Sequence, residues 1–357
     1  MKKRFQKTLF IAILLSFIWG LWWGFYRHYR ERPENWSGAE IQVLAFDKIF
    51  TEEVIKKLAI EEGIDLRVTH ISHPQNFLQQ MLTSGADYDL IQVNSFLAGS
   101  FLIENVFEPL DWEMIPNKQN ISIDFQNLSY DPNSQFFLPL FWGVNGFLYD
   151  SSVLSSFESL EKLTPQLVLS PSAVEAYTYA TRLRPIIKNW LVTGNEEGLK
   201  EDLKEISNQW PEFSSSGVQQ LVEQKKVAVQ ITNGRAAEFL KKHHHLRYGL
   251  PVEKANLWVG MIGISKDSQN KKIAHQVLNQ LLNPKWALEI IKSNQEATVN
   301  TLLDNSDSIA PQQKSNFIRE LRLSRFELFY DNEAFEPLWS RYLKEFLPQV
   351  FKSSIEE

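Results

Sequence analysis

Four consecutive residues, Thr232-Asn233-Gly234-Arg235, carry the most chemical potential per position in this chain. They follow the apolar run that ends at Ile231, so they fall where a strand hands over to a helix. Backbone N–H groups at such a start suit a carboxylate or another anion, and Arg235 would add positive charge. Ser172 and Glu175 have the spacing of a capping box, which accounts for both without a ligand. His243-His244-His245 offers three imidazoles, but adjacent residues on a regular element cannot all face one ion, so the run reads as an exposed helix end. No HExxH, Gly-rich phosphate loop or Ser-His-Asp arrangement is visible. The absence of cysteine excludes disulfides, thiolate metal sites and a Cys nucleophile. The inventory points to noncovalent binding, with no enzyme chemistry, cofactor or metal.

The elements that must position these residues are legible as alternating strands and helices. Ile41, Val43 and Ala45 alternate as a first strand, and Thr51 caps a helix that begins with Glu52 and Glu53 and ends at Gly63. Ile64, Leu66 and Val68 alternate again, and the near-continuous apolar run Leu90–Val93 suits a sheet covered on both faces. Further on, the spacing predicts strands at 167–169 and 227–231, a helix from Ser172 and a polar helix at 196–209. An apolar run, 257–264, then gives way to a helix whose buried face is Ile273, Val277, Leu278, Leu281 and Leu282. On this spacing Lys271, Lys272, His275, Asn279 and Gln280 lie mostly off that face. Asn283-Pro284 caps and restarts a second helix.

At 357 residues the chain can form two lobes. Its net charge of −6 is mild and its basic residues are scattered, which leaves no footprint for nucleic acid. Residues 1–36 read as targeting: Lys2, Lys3, Arg4 and Lys7 precede an uncharged run from Thr8 to Tyr26, about the length needed to cross a ~30 Å hydrocarbon core. The Trp and Tyr residues at its far end suit a membrane–water interface and fit poorly with a small-residue cleavage site, so an uncleaved anchor is expected.

Four blocks in order resemble the bacterial extracellular solute-binding proteins of ABC importers, near their spermidine/putrescine-binding branch. They are IQVLAFDKIFTEEVIKKLAIEEGIDLRV (41–68), YDLIQVNSFLAGSFLIENVFEPLD (88–111), PNKQNISIDFQNLSYDPNSQFFLPLFWGVNGFLYD (116–150) and NLWVGMIGISKDSQNKKIAHQVLNQLLNPKWALEII (256–291). The resemblance implies an α/β, two-lobed periplasmic-binding-protein-like (type II) fold with two crossovers, preceded by an N-terminal transmembrane helix. It places residues 37–143 and 262–304 in lobe 1. Residues 144–261 and 305–357 then form lobe 2, with the C-terminal stretch from Pro311 packed on that lobe. The chain would cross near Trp142–Asn145 and return near Leu257–Met261.

The same resemblance implies a ligand set. Phe46, Asp47 and Lys48 align with a loop whose aromatic and carboxylate groups hold amines, with the acidic position changed to Lys48. Asn94 and Ser95 stand where hydroxyls meet the ligand, although they could equally cap the next helix. Trp142 with Gly143 matches an aromatic-glycine step, Glu175 keeps one of two carboxylates, and Thr232, beside Asn233, stands where the family often carries an aromatic, so one wall is missing. Trp258 aligns with a stacking Trp, the carboxylate two residues on has become Gly260, and Glu296 stands where an aromatic is common. A polyamine needs several carboxylates to replace its lost hydration, and too few remain. The expected ligand is therefore a smaller polar or amine-containing solute, bound between lobes for import. An ABC permease would be the partner, at the periplasmic side of the inner membrane. The alternative is an anchored sensor or scaffold that has lost transport duty.

Overall fold

The computed structural model describes residues 40–46, 49–71, 74–154, 167–169, 193, 195, 197–198, 212–213, 217–223, 226–250, 255–321 and 326–328. The expected N-terminal span, the helix from Ser172 and most of the polar helix at 196–209 lie outside them. Among the described residues no helix is long and apolar enough to cross a membrane.

The first sheet begins with β1 (Glu40–Phe46), α1 (Glu52–Glu62) and β2 (Asp65–Ile71), and β1 and β2 run parallel in register from Glu40↔Asp65 to Phe46↔Ile71. The ends of α1 follow their local signals. The Thr51 hydroxyl accepts from the Val54 N–H, and Gly63 takes the left-handed conformation (φ 67°) that closes the helix. After α2 (Pro74–Ser84), β3 (Leu90–Asn94) joins the other edge of β1, in parallel and buried along its whole length. α3 (Ser95–Ile103) leaves directly from its carboxyl end, followed by the short β4 (Phe107–Glu108).

β5 (Leu138–Asp150) is the strand that joins the two sheets. Its first half pairs with β10 (Ala255–Ser265) from Leu138↔Ile262 to Val144↔Leu257. From Asn145 onward it pairs instead with β8 (Ala228–Thr232) and β9 (Leu246–Gly249). The expected first crossover at Trp142–Asn145 thus coincides with a change of hydrogen-bonding partner between Val144 and Asn145. The second sheet also holds β6 (Leu167–Leu169) and β7 (Glu212–Phe213), with α4 (Gly217–Val222) and α5 (Asn233–Lys242) over a small core of Leu148, Leu221, Val229, Ile231, Ala236 and Leu246.

The return differs from the expectation. β10 belongs wholly to the first sheet, and Leu257 already faces Val144 there, so the chain has returned before Ala255. An apolar run states burial but not which sheet buries it.

α6 (Lys271–Leu281) and α7 (Pro284–Asn294) cover the first sheet, and the Asn283 side chain accepts from the Lys285 N–H as a cap. His275 corrects the helical reading: it is 5 % exposed, not turned to solvent. Its Nε2 accepts from the Asp111 N–H at 2.9 Å while Nδ1 donates to the Lys271 carbonyl at 2.7 Å. Asn279, likewise expected off the face, accepts from the Asn117 N–H at 2.9 Å. α6 is therefore gripped on a second side by the 111–120 segment. After β11 (Ala297–Thr298), α8 (Phe317–Glu320) places Phe317 and Ile318 in the larger, first-sheet core, and Arg319 pairs with Asp124 at 2.8 Å. β12 (Phe326–Leu328) then adds in parallel to the start of β10. Phe317, Ile318 and β12 therefore join the first lobe, whereas residues 311–314 lie against α5 of the second lobe, where the Gln312 carbonyl accepts from Asn233.

A candidate ligand site at the strand crossover

In an open α/β sheet, ligands lie beyond the carboxyl ends of the strands. Here the carboxyl ends of β3 and β8 and the middle of β5 and β10 bring together Asn94, Ser95, Phe141, Gly143, Asn145, Thr232, Trp258, Gly260 and Glu296. Asn94 faces Gly260 across the β3–β10 ladder. The buried Ser95 hydroxyl accepts from the Val259 N–H at 3.2 Å, so it ties β3 to the return strand. Gln92, two residues before Asn94, donates to the Asn94 Oδ1 at 3.4 Å, and its own Oε1 is buried without a hydrogen-bond partner. Sequence reasoning missed Gln92, because a polar residue inside an apolar strand gives no local sign of which face it uses.

The centre of the cluster is a reciprocal packing of rings on glycines. Trp258 lies against Gly143, where a Cβ would come within 2.5 Å of the indole, and Phe141 lies against Gly260, where a Cβ would come within 2.2 Å. The two rings meet edge to face at 5.9 Å. Gly260 is thus more than a lost carboxylate: any side chain there would collide with Phe141. Trp258 is 5 % exposed and its indole N–H donates to the Asn145 Oδ1 at 3.3 Å. Asn145 is a second residue that the sequence did not single out.

The polar end of the cluster is built on Thr232 and Glu296. Thr232 caps α5 through its hydroxyl, which accepts from the Arg235 N–H at 3.4 Å and donates to the Glu296 Oε2 at 2.8 Å. The other Glu296 oxygen meets the Arg235 Nε at 2.8 Å. The backbone of Glu296 presses on α5 so closely that a Cβ on Gly234 would lie 2.6 Å from it. Asn233 accepts from the Val144 N–H at 2.8 Å and donates to the Gln312 carbonyl at 2.7 Å. It braces the crossover. Tyr248 donates to the Val144 carbonyl at 2.7 Å, and burial, with the Glu296 charge second, pushes its phenol well above the ordinary value.

Two expected site residues are core residues here. Phe46 is fully buried with its ring edge-on to Phe77 at 5.6 Å, so it presents no open face to a cation. Trp142 is also fully buried, stacked near Phe125 and donating its N–H to the Thr298 carbonyl at 2.9 Å. Burying a ring of that size is worth about 4–6 kcal/mol at 25 cal/mol per Å², which is reason enough for an aromatic at this position. Asp47, Lys48 and Glu175 lie outside the described residues. His243 and His245 meet edge to face at 5.9 Å beyond the end of α5, and among the described residues no group of three or more ligands could hold a metal ion.

Two sheets joined through a shared strand, with a polar and aromatic cluster where they meet, define a two-lobed binding protein. Residues 44–288 match the family described as bacterial extracellular solute-binding protein, and the chain belongs to that family. It is similar to the putrescine-binding periplasmic protein SpuD of Pseudomonas aeruginosa, with 24 % identity over 351 residues that cover 88 % of this chain and 92 % of that one. The spermidine/putrescine-binding periplasmic protein of Salmonella typhimurium is 24 % identical over 249 residues, covering 67 % of this chain and 72 % of the relative. Among solved structures, the spermidine/putrescine ABC transporter substrate-binding protein PotD of Streptococcus pneumoniae superposes with a TM-score of 0.63. Its identity is 18 %, and the match covers 88 % of this chain and 100 % of that one.

Proposed function

We propose that this protein captures a small amine-containing solute at the strand crossover and presents it to an ABC permease. Residues 1–36 would hold it to the outer face of the inner membrane. The observation that carries the reading is the placement of acceptors. Asn94, with the unpartnered Gln92 Oε1 beside it, and Glu296 stand on the first-sheet side of the crossover, where Thr232 of the second sheet donates to Glu296. Periplasmic relatives named for spermidine and putrescine support an amine. The described cluster contains one carboxylate, Glu296, which suits a monoamine or a zwitterion better than a long polyamine. Lobe closure would stabilise the bound state, and no covalent step is required.

The test is a thermal-shift screen of the full chain against monoamines, diamines, amino acids, betaines and small organic acids. A ligand at 100 times its dissociation constant adds about 2.7 kcal/mol, which shifts the melting midpoint visibly. The expected result is a shift with a monoamine or zwitterion that is reduced in Asn94→Ala. A folded sample that responds to no compound on the panel would overturn the reading.

A further inference from the structure

Glu296 is already engaged from within the protein. Its side chain is 3 % exposed and bonded to Arg235, whose own side chain is 42 % exposed. Arg235 also lines a groove of about 680 Å³ between α5 and residues 306–314, together with Lys241, Gln295 and Lys314. That volume is in the range of small-molecule sites. The guanidinium therefore stands between a buried carboxylate and a groove large enough to admit a small solute. The two partners also come from different sheets: Arg235 follows β8 on α5, and Glu296 precedes β11, which pairs with β5 in the first sheet.

We propose that Arg235 is the selectivity residue of this site, a resident cation that a ligand ammonium must displace to reach Glu296. This rests on the crossover cluster being the ligand site. A diamine or polyamine brings further positive charge beside the guanidinium and is disfavoured by like-charge repulsion. An amine that carries its own anionic group brings a counter-charge for Arg235 and is tolerated. The bare Gly234 lets the start of α5 approach the Gln295 and Glu296 backbone, which sets Arg235 beside the carboxylate.

The experiment is calorimetric titration of wild type, Arg235→Ala, Arg235→Gln and the double variant Arg235→Ala/Glu296→Gln with putrescine, spermidine and methylguanidinium. The full solute panel is run in parallel. Arg235→Gln keeps the side chain out to Cδ with an uncharged amide donor, and serves if the alanine variant does not fold. The expected result is putrescine and spermidine binding roughly tenfold or more tighter in the Arg235 variants than in wild type, because the competing charge is gone. Methylguanidinium should bind the alanine variant as a replacement for the missing group, and the double variant should lose both gains. If wild type binds a panel solute but the Arg235 variants gain nothing for diamines, the selectivity role is overturned and the binding-protein reading stands. If every folded variant is silent to every compound, both are overturned.

Discussion

Gly143→Ala is the substitution with the best-defined consequence. A Cβ at this position would lie 2.5, 2.7 and 3.1 Å from three atoms of the Trp258 indole, against an ordinary carbon contact of about 3.5–4.0 Å. The ring has no easy retreat, since Phe141 meets it at 5.9 Å and Asn145 holds its N–H. Phe141 is itself pressed onto Gly260. Overpacking of this kind costs about 1–3 kcal/mol. Loss of glycine's unfolded-state freedom returns about 0.4–1 kcal/mol, leaving a net cost of about 1–2 kcal/mol. Trp258→Ala alone should cost about 3–5 kcal/mol through the cavity it leaves. In the double variant the new methyl group enters vacated space while the unfolded-state gain remains, so the pair should cost about 0.4–1 kcal/mol less than Trp258→Ala alone. The coupling is then the steric cost itself, about −1 to −3 kcal/mol. Urea denaturation followed by far-ultraviolet circular dichroism measures all four proteins without depending on the lost tryptophan. Additive costs, within about 0.5 kcal/mol, would refute the packing argument.

The buried Asp131 carboxylate accepts three backbone N–H groups, from Gln135 at 2.8 Å, Phe136 at 2.9 Å and Phe137 at 3.1 Å. Asp131→Ala should cost about 3 kcal/mol or more and Asp131→Asn less, and equal midpoints in denaturant would contradict this. Glu289 is held below its ordinary value of 4.5, chiefly by the hydrogen bond from the Lys57 ammonium, which outweighs its burial. A lowered folded-state value means that its stabilisation is present above the ordinary carboxylate range and is lost as pH falls through the folded value. The stability gap between wild type and Glu289→Gln should be flat from neutral pH down to about pH 5 and close below about pH 4. A gap unchanged at pH 3 would exclude the pair as its source.

What this chain's sequence determined by itself is what neighbouring residues decide among themselves. Thr51 and Gly63 bound α1, Asn283-Pro284 restarts a helix, and Thr232 opens α5, because each signal acts within a few residues along the chain. The expectation of two lobes and a crossover near Trp142 came from the resemblance to solute-binding proteins, because no local signal names the partner of a strand. Tertiary structure decided which side of each element is used and what it meets. His275 and Asn279 are polar and looked exposed, but a segment more than a hundred residues earlier buries one and bonds both. The periodic pattern could not assign β10 to a sheet, because burial alone does not name a partner. Of two crossover tryptophans, register put Trp142 under Phe125 and Trp258 across Gly143. Thr232 and Glu296 are 64 positions apart, and Arg235 reaches the same carboxylate, so their cluster exists only once both sheets are in register. Local signals fix conformation because their cost is local, whereas a charge pair between lobes depends on the pairing of every strand between them.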